Sequence, residues 1–212
     1  MENQEKNFEA WDKMASLYED KFMHMDLYDD TYALFCEHIL KQNAKVLEIG
    51  CGPGNITQYL LSKKPDFKID AIDAAANMVE LAKKNNPNAN FKVMDCRDLD
   101  KITTKYDAII CGFCMPYLSK ADCAKLINDC ATLLKNGGIL YLSTIEGDYN
   151  QSTYETSSNG EYRLFVYYHE TAYLQEMLNE NNLDQLHLVR KEYPKGNEIS
   201  THSIFIAEKK SL

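Results

Sequence analysis

The sequence predicts a doubly wound α/β fold, in which helices cover both faces of a mostly parallel sheet. Short apolar runs alternate with segments of helical periodicity through the middle of the chain, and such alternation is typical of parallel sheets with crossover helices. A glycine-rich turn lies where the first of these runs meets the first helical segment. The 212 residues suit one structural domain with a full apolar core.

Five apolar runs predict the strands of this sheet. They are residues 45–49, 68–73, 91–94, 106–111 and 139–144. Between the fourth and fifth runs, apolar residues recur every three or four positions and predict a helix. The sequence Asn136-Gly137-Gly138 predicts the end of that helix, because glycine favours the left-handed conformation that is common at helix C-termini.

Two segments lie outside this core, which is expected to be complete without them. Residues 1–40 are predicted to be helical and to form a lid over the remaining domain, residues 41–212. The lid carries one apolar stripe, which consists of Phe8, Trp11, Ala15, Tyr18 and Phe22. After the fifth strand we expect a loop at 152–160, an apolar run at 164–168, a helix at 170–181 and two strands at 184–192 and 200–208, paired as a hairpin at the sheet edge. Both segments can reach the carboxyl ends of the strands, where such sheets bind ligands.

The charge balance and the cysteines narrow the classes of protein. The formal net charge is −9 at pH 7 and the pI is about 5.1. Nucleic acids and anionic membranes attract clustered lysines and arginines, so neither is an expected partner. No apolar run approaches the roughly 18 residues of a membrane span, and the first residues do not resemble a signal peptide. Seven irregularly spaced cysteines favour free thiols in a reducing cytoplasm, while the oligomeric state stays open.

The glycine turn occupies residues 46–55, VLEIGCGPGN. Its place after the first strand is where an open α/β sheet holds a nucleotide-like ligand. The dinucleotide pattern G-x-G-x-x-G fails because Asn55 stands at its last glycine, and the phosphate-loop pattern fails because no Gly-Lys-Ser/Thr follows. A carboxylate at Glu48 repels a pyrophosphate but attracts an ammonium group. The turn therefore predicts an adenosine compound that carries an amino acid.

Acidic residues stand at the ends of three successive strands. Asp73 ends the second strand, about 20 residues past the glycines, where an acid accepts hydrogen bonds from ribose hydroxyls. This feature is shared with the dinucleotide-binding folds. Asp95 follows the third strand, and Glu48 lies near the end of the first. Each acid alone could be a solvated strand end or a helix cap, but three acids in register with a glycine turn favour a ligand site.

Six segments within residues 11–144 carry a family resemblance. They are WDKMASLYEDKF, VLEIGCGPGN, IDAIDAAANMVELA, VMDCRDL, YDAIICGFCMPYLS and LLKNGGILYLSTIEG. Together they resemble class I S-adenosylmethionine-dependent methyltransferases, of the branch that acts mostly on small molecules. The resemblance implies S-adenosylmethionine as the cofactor, a small-molecule methyl acceptor, and a seven-stranded Rossmann-like sheet of order 3-2-1-4-5-7-6 with the last strand antiparallel.

The resemblance also implies which residues meet the cofactor. Glu48 and the glycines after it would surround the methionyl group, while Asp73 would bind the ribose and Met78 the adenine. Asp95 and the backbone of the next residue would take the adenine amino group, and residues 111–113 would line the sulfonium. The predicted cofactor-binding residues are Tyr18, Glu48, Gly50, Cys51, Gly52, Asp73, Ala74, Met78, Asp95, Cys96, Cys111 and Phe113.

A catalytic base is needed only when the methyl acceptor is protonated, since the sulfonium is already activated. Tyr18, Tyr117 and His169 are the candidates, because they lie near strands four and five or on the two outer segments. Packing is the alternative role for Tyr18, and a surface or cap position is the alternative for His169. Met115-Pro116-Tyr117 resembles the Asn-Pro-Pro-Tyr loop of amino-methylating enzymes, but Cys114 replaces the asparagine that would hold a planar amine.

Cysteines and tyrosines suggest two further sites. Cys111 and Cys114 have the two-residue gap of a zinc pair, but Cys123 and Cys130 lie on the apolar stripe of their helix, so no metal site is expected. Five tyrosines after the fifth strand either wall an acceptor pocket or pack an added hairpin. They are Tyr149, Tyr154, Tyr162, Tyr167 and Tyr168.

The predicted function is methyl transfer from S-adenosylmethionine to a small molecule by in-line displacement. A non-catalytic module that binds S-adenosylmethionine or S-adenosylhomocysteine is the alternative, and a nicotinamide-dependent reductase is a third. Cofactor titration separates the reductase from the other two, and turnover of labelled cofactor separates the enzyme from the binding module. The sequence does not distinguish nitrogen, oxygen, sulfur or carbon as the acceptor atom.

Overall fold

The computed structural model describes residues 2–157, 160–196 and 198–210. The α-helices are α1 (Glu2–Phe22), α2 (Asp29–His38), α3 (Asn55–Lys63), α4 (Ala76–Asn85), α5 (Lys120–Leu133) and α6 (Thr171–Glu180). The strands are β1 (Lys45–Ile49), β2 (Lys68–Asp73), β3 (Asn90–Val93), β4 (Tyr106–Cys111), β5 (Leu134–Ile145), β6 (Thr153–Thr156), β7 (Arg163–Val166), β8 (Leu183–Lys195) and β9 (Glu198–Lys209). None of the described helices is long and apolar enough to cross a membrane.

Within the described part of the chain, seven strands form one sheet in the order β3-β2-β1-β4-β5-β9-β8. Strands β1 to β5 pair in parallel, whereas β9 runs antiparallel to both β5 and β8. Because β6 and β7 form a separate hairpin, β8 and β9 are the sixth and seventh strands of the predicted sheet. The predicted order 3-2-1-4-5-7-6, with the last strand antiparallel, is therefore confirmed.

Each face of the sheet is covered by a large apolar cluster. Alternation along β1 sends Leu47 to the cluster under α5 and α6, and Val46 to the cluster under α2 and α3. Phe35 of α2 is fully buried, and its ring packs edge-on against Tyr141 of β5 with centroids 5.9 Å apart. The expectation that the core is complete without residues 1–40 is therefore wrong for α2, which supplies part of it.

The helix before β5 ends earlier than the sequence predicts. α5 stops at Leu133 and β5 begins at Leu134, so Asn136-Gly137-Gly138 lies within the strand. Gly137 has φ +70°, and the register with β4 shifts at this point. The glycines therefore form a bulge in the strand rather than a helix ending, which the same left-handed preference also permits.

A second small sheet lies outside the main one. β6 and β7 pair as an antiparallel hairpin, and β6 occupies part of the segment predicted to be a loop at 152–160; residues 158–159 of that segment lie outside the described residues. Asn7 of α1 fastens the hairpin, because its amide donates to the Phe165 carbonyl at 2.9 Å and accepts from the Phe165 N–H at 2.9 Å. Asn7 is buried, so α1 and the hairpin form one connected cover.

Candidate cofactor and acceptor site

Two adjoining cavities lie at the carboxyl ends of β1, β2 and β4. The larger has a volume of about 440 Å³ and the smaller about 120 Å³. Among the described residues, seven line both cavities and form their junction: Trp11, Tyr18, Gly50, Gly52, Gly112, Phe113 and Tyr117. A ligand in the smaller cavity would therefore meet a ligand in the larger one across this junction.

The glycine turn is held by backbone hydrogen bonds to the neighbouring strand. The N–H groups of Gly50 and Cys51 donate to the Ile72 carbonyl at 2.8 Å and 3.0 Å. Gly50 and Gly52 adopt φ +70° and +52°, a region that L side chains rarely enter. A Cβ on Gly50 would lie 3.0 Å from the Cβ of Cys114. The turn therefore needs glycine both for its conformation and for the close approach of the neighbouring chain.

Asp73 connects the glycine turn to the start of α4. One carboxylate oxygen accepts from the Gly52 N–H and the other from the Ala75 N–H, each at 2.9 Å. Asp73 lines the smaller cavity together with Ala74, Met78 and Cys96. Burial raises the pKa of this carboxyl, and the backbone donors oppose that shift.

Glu48 points away from both cavities, contrary to the predicted direct contact with the methionyl ammonium. It is fully buried, and the Thr57 hydroxyl of α3 donates to its Oε2. Because side chains alternate along β1, Glu48 shares the face of Val46, under α3. Its Oε1 has no hydrogen-bond partner among the described residues, and burial raises its pKa to about 8. The carboxyl group therefore stands behind the glycine turn and joins β1 to α3.

Three more predicted cofactor residues do not line either cavity. Cys51 and Cys111 are buried, and Cys111 packs in the apolar cluster under α5. Asp95 begins a 3₁₀ turn, where its side chain accepts from the Arg97 N–H and forms an ion pair with the Arg97 guanidinium at 2.5 Å. Eight predicted residues do line the smaller cavity: Tyr18, Gly50, Gly52, Asp73, Ala74, Met78, Cys96 and Phe113.

Of the three catalytic candidates, the structure brings two to the junction. Tyr18 and Tyr117 both contact Trp11 edge-on, with centroids 5.4 Å and 5.2 Å apart. Burial raises the pKa of both phenols above the ordinary value. His169 lines neither cavity; it is fully buried, and its Nε2 lies 3.1 Å from the Met115 carbonyl oxygen. Its ring therefore faces the turn before α5 rather than the junction, and a catalytic role for His169 stays a prediction without a contact at either cavity.

The five tyrosines lie outside both cavities, and the ring contacts of three of them favour the packing alternative. Tyr149 stacks on Tyr167 with centroids 5.6 Å apart, and Tyr154 packs edge-on against Phe165 at 5.1 Å. The Tyr154–Phe165 contact joins β6 to β7, and the Tyr149–Tyr167 pair stacks beside the hairpin. The hairpin reaches the larger cavity through other residues, which include Glu155 and Leu164.

Sequence reasoning missed the polar group of the larger cavity, His202 of β9. His202 is buried, and its Nδ1 lies 2.7 Å from the hydroxyl of Tyr28. Its ring stacks on Tyr193 of β8 with centroids 5.0 Å apart at 12°. Position 202 lies in a predicted strand, but the sequence does not say that this strand inserts next to β5 with this residue at the cavity.

Comparisons with known proteins support the class that the fold and the site define. Residues 46–138 match the family model of the methyltransferase domain. Malonyl-[acyl-carrier protein] O-methyltransferase 1 of Ilyobacter polytropus is 33% identical over 142 residues, 66% of this chain and 50% of that protein. Ubiquinone biosynthesis O-methyltransferase of Coxiella burnetii is 28% identical over 122 residues, 56% of this chain and 50% of that protein. The chain spans about half the length of these curated relatives.

Solved structures support the same fold over nearly the whole chain. Magnesium protoporphyrin IX methyltransferase of Synechocystis PCC 6803, with bound S-adenosylhomocysteine, has a TM-score of 0.73 at 17% identity. The similarity covers 98% of this chain and 97% of that one. This chain therefore contains a methyltransferase domain with the class I S-adenosylmethionine-dependent fold, as the sequence predicts.

Proposed function

We propose that this chain is an enzyme that transfers the methyl group of S-adenosylmethionine to a small acceptor by in-line displacement. The observation that carries the proposal is the pair of cavities that meet at one junction. The smaller cavity is lined by the residues of the glycine turn and of the end of β2, which match the cofactor motifs. The larger cavity has walls from α1, the β6–β7 hairpin and β9, which lie outside the parallel strands.

The residues of the smaller cavity suit the predicted cofactor. Asp73 keeps free lone pairs after accepting its two backbone hydrogen bonds, so it can also accept from ribose hydroxyls. Met78 supplies an apolar surface for adenine. A Cβ on Gly52 would lie 3.5 Å from the ring of Tyr18, so glycine leaves room there for the methionyl end. In this proposal Glu48 does not touch the cofactor; it joins β1 to α3 behind the glycine turn. Its Oε1 has no hydrogen-bond partner among the described residues.

The chain's own contribution to the reaction is alignment and exclusion of water. S-adenosylmethionine supplies a methyl group on a sulfonium, whose sulfur takes the bonding electron pair and leaves as a neutral thioether. The edge-on rings of Trp11, Tyr18 and Tyr117 surround the junction with apolar surface. Apolar rings around the junction would hold the two reactants in line and keep water away from the methyl group.

The proposal keeps a lid over the site but limits it to fewer residues than the predicted segment 1–40. α2 is built into the core, so the segment that can close over the site is α1, together with the hairpin fastened to it by Asn7. Tyr18 is the residue through which α1 would reach the methionyl end of the cofactor. The larger cavity favours an enzyme over a non-catalytic binding module, because a module needs no acceptor pocket.

The proposed acceptor is a small organic molecule rather than a nucleic acid, and the proposed location is the cytoplasm. A cavity of about 440 Å³ accommodates one small organic molecule. The net charge of −9 argues against nucleic acid as the acceptor. All seven cysteines are free thiols, which suits the reducing cytoplasm.

Calorimetry and labelled turnover test the proposal. S-adenosylhomocysteine should bind in calorimetry, and NADH should not. Transfer of radiolabel from S-adenosylmethionine to a pool of small metabolites should then separate an enzyme from a binding module. Binding of NADH in place of S-adenosylhomocysteine would contradict the cofactor. Tight binding without transfer to any fraction of the pool would favour the non-catalytic module.

A further inference from the structure

His202 presents a polar nitrogen to the acceptor cavity. The residue lines the larger cavity but not the smaller one. Its Nδ1 is engaged by Tyr28 at 2.7 Å. Among the described residues no hydrogen bond reaches its Nε2, and that atom is not among the enclosed polar atoms without a partner. The Nε2 edge therefore opens toward the space that an acceptor would fill.

The charge state of His202 follows from the groups that surround it. Tyr28 faces it from the α1–α2 connection, Tyr193 and Lys195 face it from β8, and Glu155 faces it from β6. Burial lowers the pKa of His202 to about 4; Glu155 opposes that shift and Lys195 adds to it. At neutral pH the imidazole is therefore neutral and has one nitrogen lone pair.

Three other titratable side chains at the cavity are either protonated or paired. Burial raises the pKa of the Tyr18 and Tyr117 phenols, which stay protonated at neutral pH. Glu155 is held by Lys195 in an ion pair at 2.5 Å and accepts from the Tyr168 hydroxyl at 2.7 Å. Both contacts are made to Oε1 of Glu155, so this carboxylate belongs to an ion pair, whereas the Nε2 of His202 has no hydrogen-bond partner among the described residues.

The walls of the cavity suit a flat ring. Aromatic faces come from four separate parts of the chain: Trp11 and Phe22 of α1, Tyr28 before α2, Phe113 after β4 and Tyr193 of β8. The ring of Phe113 lies 4.9 Å from that of His202 and also belongs to the junction with the smaller cavity. A planar acceptor between these faces would place a ring substituent between His202 and the junction.

We propose that the acceptor is a planar aromatic hydroxyl compound, and that the Nε2 of His202 takes its proton as the methyl group is transferred. This inference rests on the proposed methyltransferase function. The proposal includes the tautomer: with the proton on Nδ1, which then donates to the Tyr28 oxygen 2.7 Å away, the lone pair is on Nε2. The hydroxyl proton passes to Nε2, and an oxygen lone pair forms the bond to the methyl carbon. The carbon–sulfur bond breaks with its electron pair on sulfur, which gives an aryl methyl ether and S-adenosylhomocysteine. The imidazolium then releases its proton to water.

Three probes of matched size test the acceptor chemistry with radiolabelled S-adenosylmethionine and the full chain. They are 4-methylphenol, 4-nitrophenol and 4-methylaniline. 4-Methylphenol keeps its proton at pH 8, whereas 4-nitrophenol has largely lost it in solution. 4-Methylaniline has the shape of 4-methylphenol but offers an amine. The unaltered protein should methylate the two phenols and not the amine.

The variants His202→Phe and Tyr28→Phe separate proton transfer from packing, because both keep a ring in place. For 4-methylphenol, His202→Phe should lower kcat/KM by roughly 100-fold or more, the usual range for loss of a general base. For 4-nitrophenol the loss should stay below roughly tenfold, since that probe needs no base. Tyr28→Phe should lower kcat/KM for 4-methylphenol by roughly tenfold, since it removes only the group that fixes the tautomer.

Controls keep the outcomes distinct. Affinity for S-adenosylhomocysteine should stay within about twofold in both variants, and His38→Gln, at the end of α2 and outside both cavities, should leave every rate unchanged. If His202→Phe does not fold, His202→Gln replaces it.

An equal loss for both phenols would make His202 a packing residue. Methylation of 4-methylaniline alone, or of no probe by a protein that binds S-adenosylhomocysteine, would overturn the acceptor class. Failure to bind S-adenosylhomocysteine would instead overturn the proposed function.

Discussion

The two cavities are held together by different kinds of contact. The smaller is fixed by the backbone: the glycine turn donates to the Ile72 carbonyl, and Asp73 accepts from two backbone N–H groups. The larger is enclosed by side chains from distant elements, such as Tyr28 and His202, which lie 174 positions apart. The glycine turn, the end of β2 and the start of α4 therefore form a rigid frame around the smaller cavity. Single substitutions in this frame should weaken cofactor binding. Substitutions around the larger cavity should alter acceptor selectivity and rate and leave the frame intact.

The largest effect on cofactor affinity is expected from Asp73→Ala, which tests the rigid frame directly. The substitution leaves the N–H groups of Gly52 and Ala75 without their acceptor and removes the proposed ribose contact. Affinity for S-adenosylhomocysteine in calorimetry should fall roughly 100-fold, about 3 kcal/mol. Asp95→Ala is the matched control: its carboxylate lies outside both cavities, so the loss should stay below about threefold. Equal losses would return Asp95 to the cofactor site.

Glu48→Gln tests whether the buried carboxyl is part of the frame. Burial raises the pKa of Glu48 from 4.5 to about 8, so between these pH values the native protein keeps a proton that the unfolded chain has released. The stability contributed by Glu48 is therefore complete below pH 4.5 and is lost as the pH rises toward 8. Urea unfolding without cofactor should show the wild type losing on the order of 3–4 kcal/mol relative to Glu48→Gln between pH 5 and pH 8. Parallel pH profiles would contradict this assignment.

A smaller effect is expected from Gly50→Ala. The added Cβ would enter a left-handed conformation and lie 3.0 Å from the Cβ of Cys114. With about 1–2 kcal/mol of strain, affinity for S-adenosylhomocysteine should fall roughly tenfold. Gly160→Ala separates the two causes, because Gly160 has φ +78° and nothing within 4 Å of its Cβ position. That variant should lose some stability but bind the cofactor normally; weakened binding there would mean that backbone strain alone is transmitted to the site.

The smallest effect on the cofactor should come from Asn7→Ala, on the acceptor side. The change removes both hydrogen bonds to Phe165, so amides of β7 should exchange faster with solvent. Affinity for S-adenosylhomocysteine should stay within about twofold, because Asn7 lines neither cavity.

In the unaltered protein, amides 8–22 of α1 should gain protection from hydrogen exchange when S-adenosylhomocysteine is added, as a closing lid requires. Unchanged protection would make α1 a static cover.

The contrast also explains which parts of the site could be predicted from sequence. The strands and the glycine turn follow from local patterns, since apolar runs, glycines and an acid at the end of β2 stand close together in the chain. The direction of Glu48 could not be predicted, because β1 is apolar on both faces and its alternation does not show which face meets the ligand. His169 lies on a segment that is expected from the sequence to reach the site, but contacts with Met115 and Cys123 place its ring elsewhere.

His202 and the hairpin depend on topology rather than on local pattern. β9 joins the sheet between β5 and β8, and only that insertion places His202 opposite Tyr28. The segment TYET of β6 offers little apolar surface, and it becomes a strand because it pairs with β7, which is fastened to α1. Elements formed by such long-range pairing carry a weak local signal.

A crystal structure of the complex with S-adenosylhomocysteine tests the central claim most directly. We expect the adenosine against Met78 with its ribose on Asp73, and the sulfur at the junction, facing the larger cavity and His202. A nucleoside bound in the larger cavity, or a sulfur directed away from it, would contradict the account of one cofactor site joined to one acceptor site.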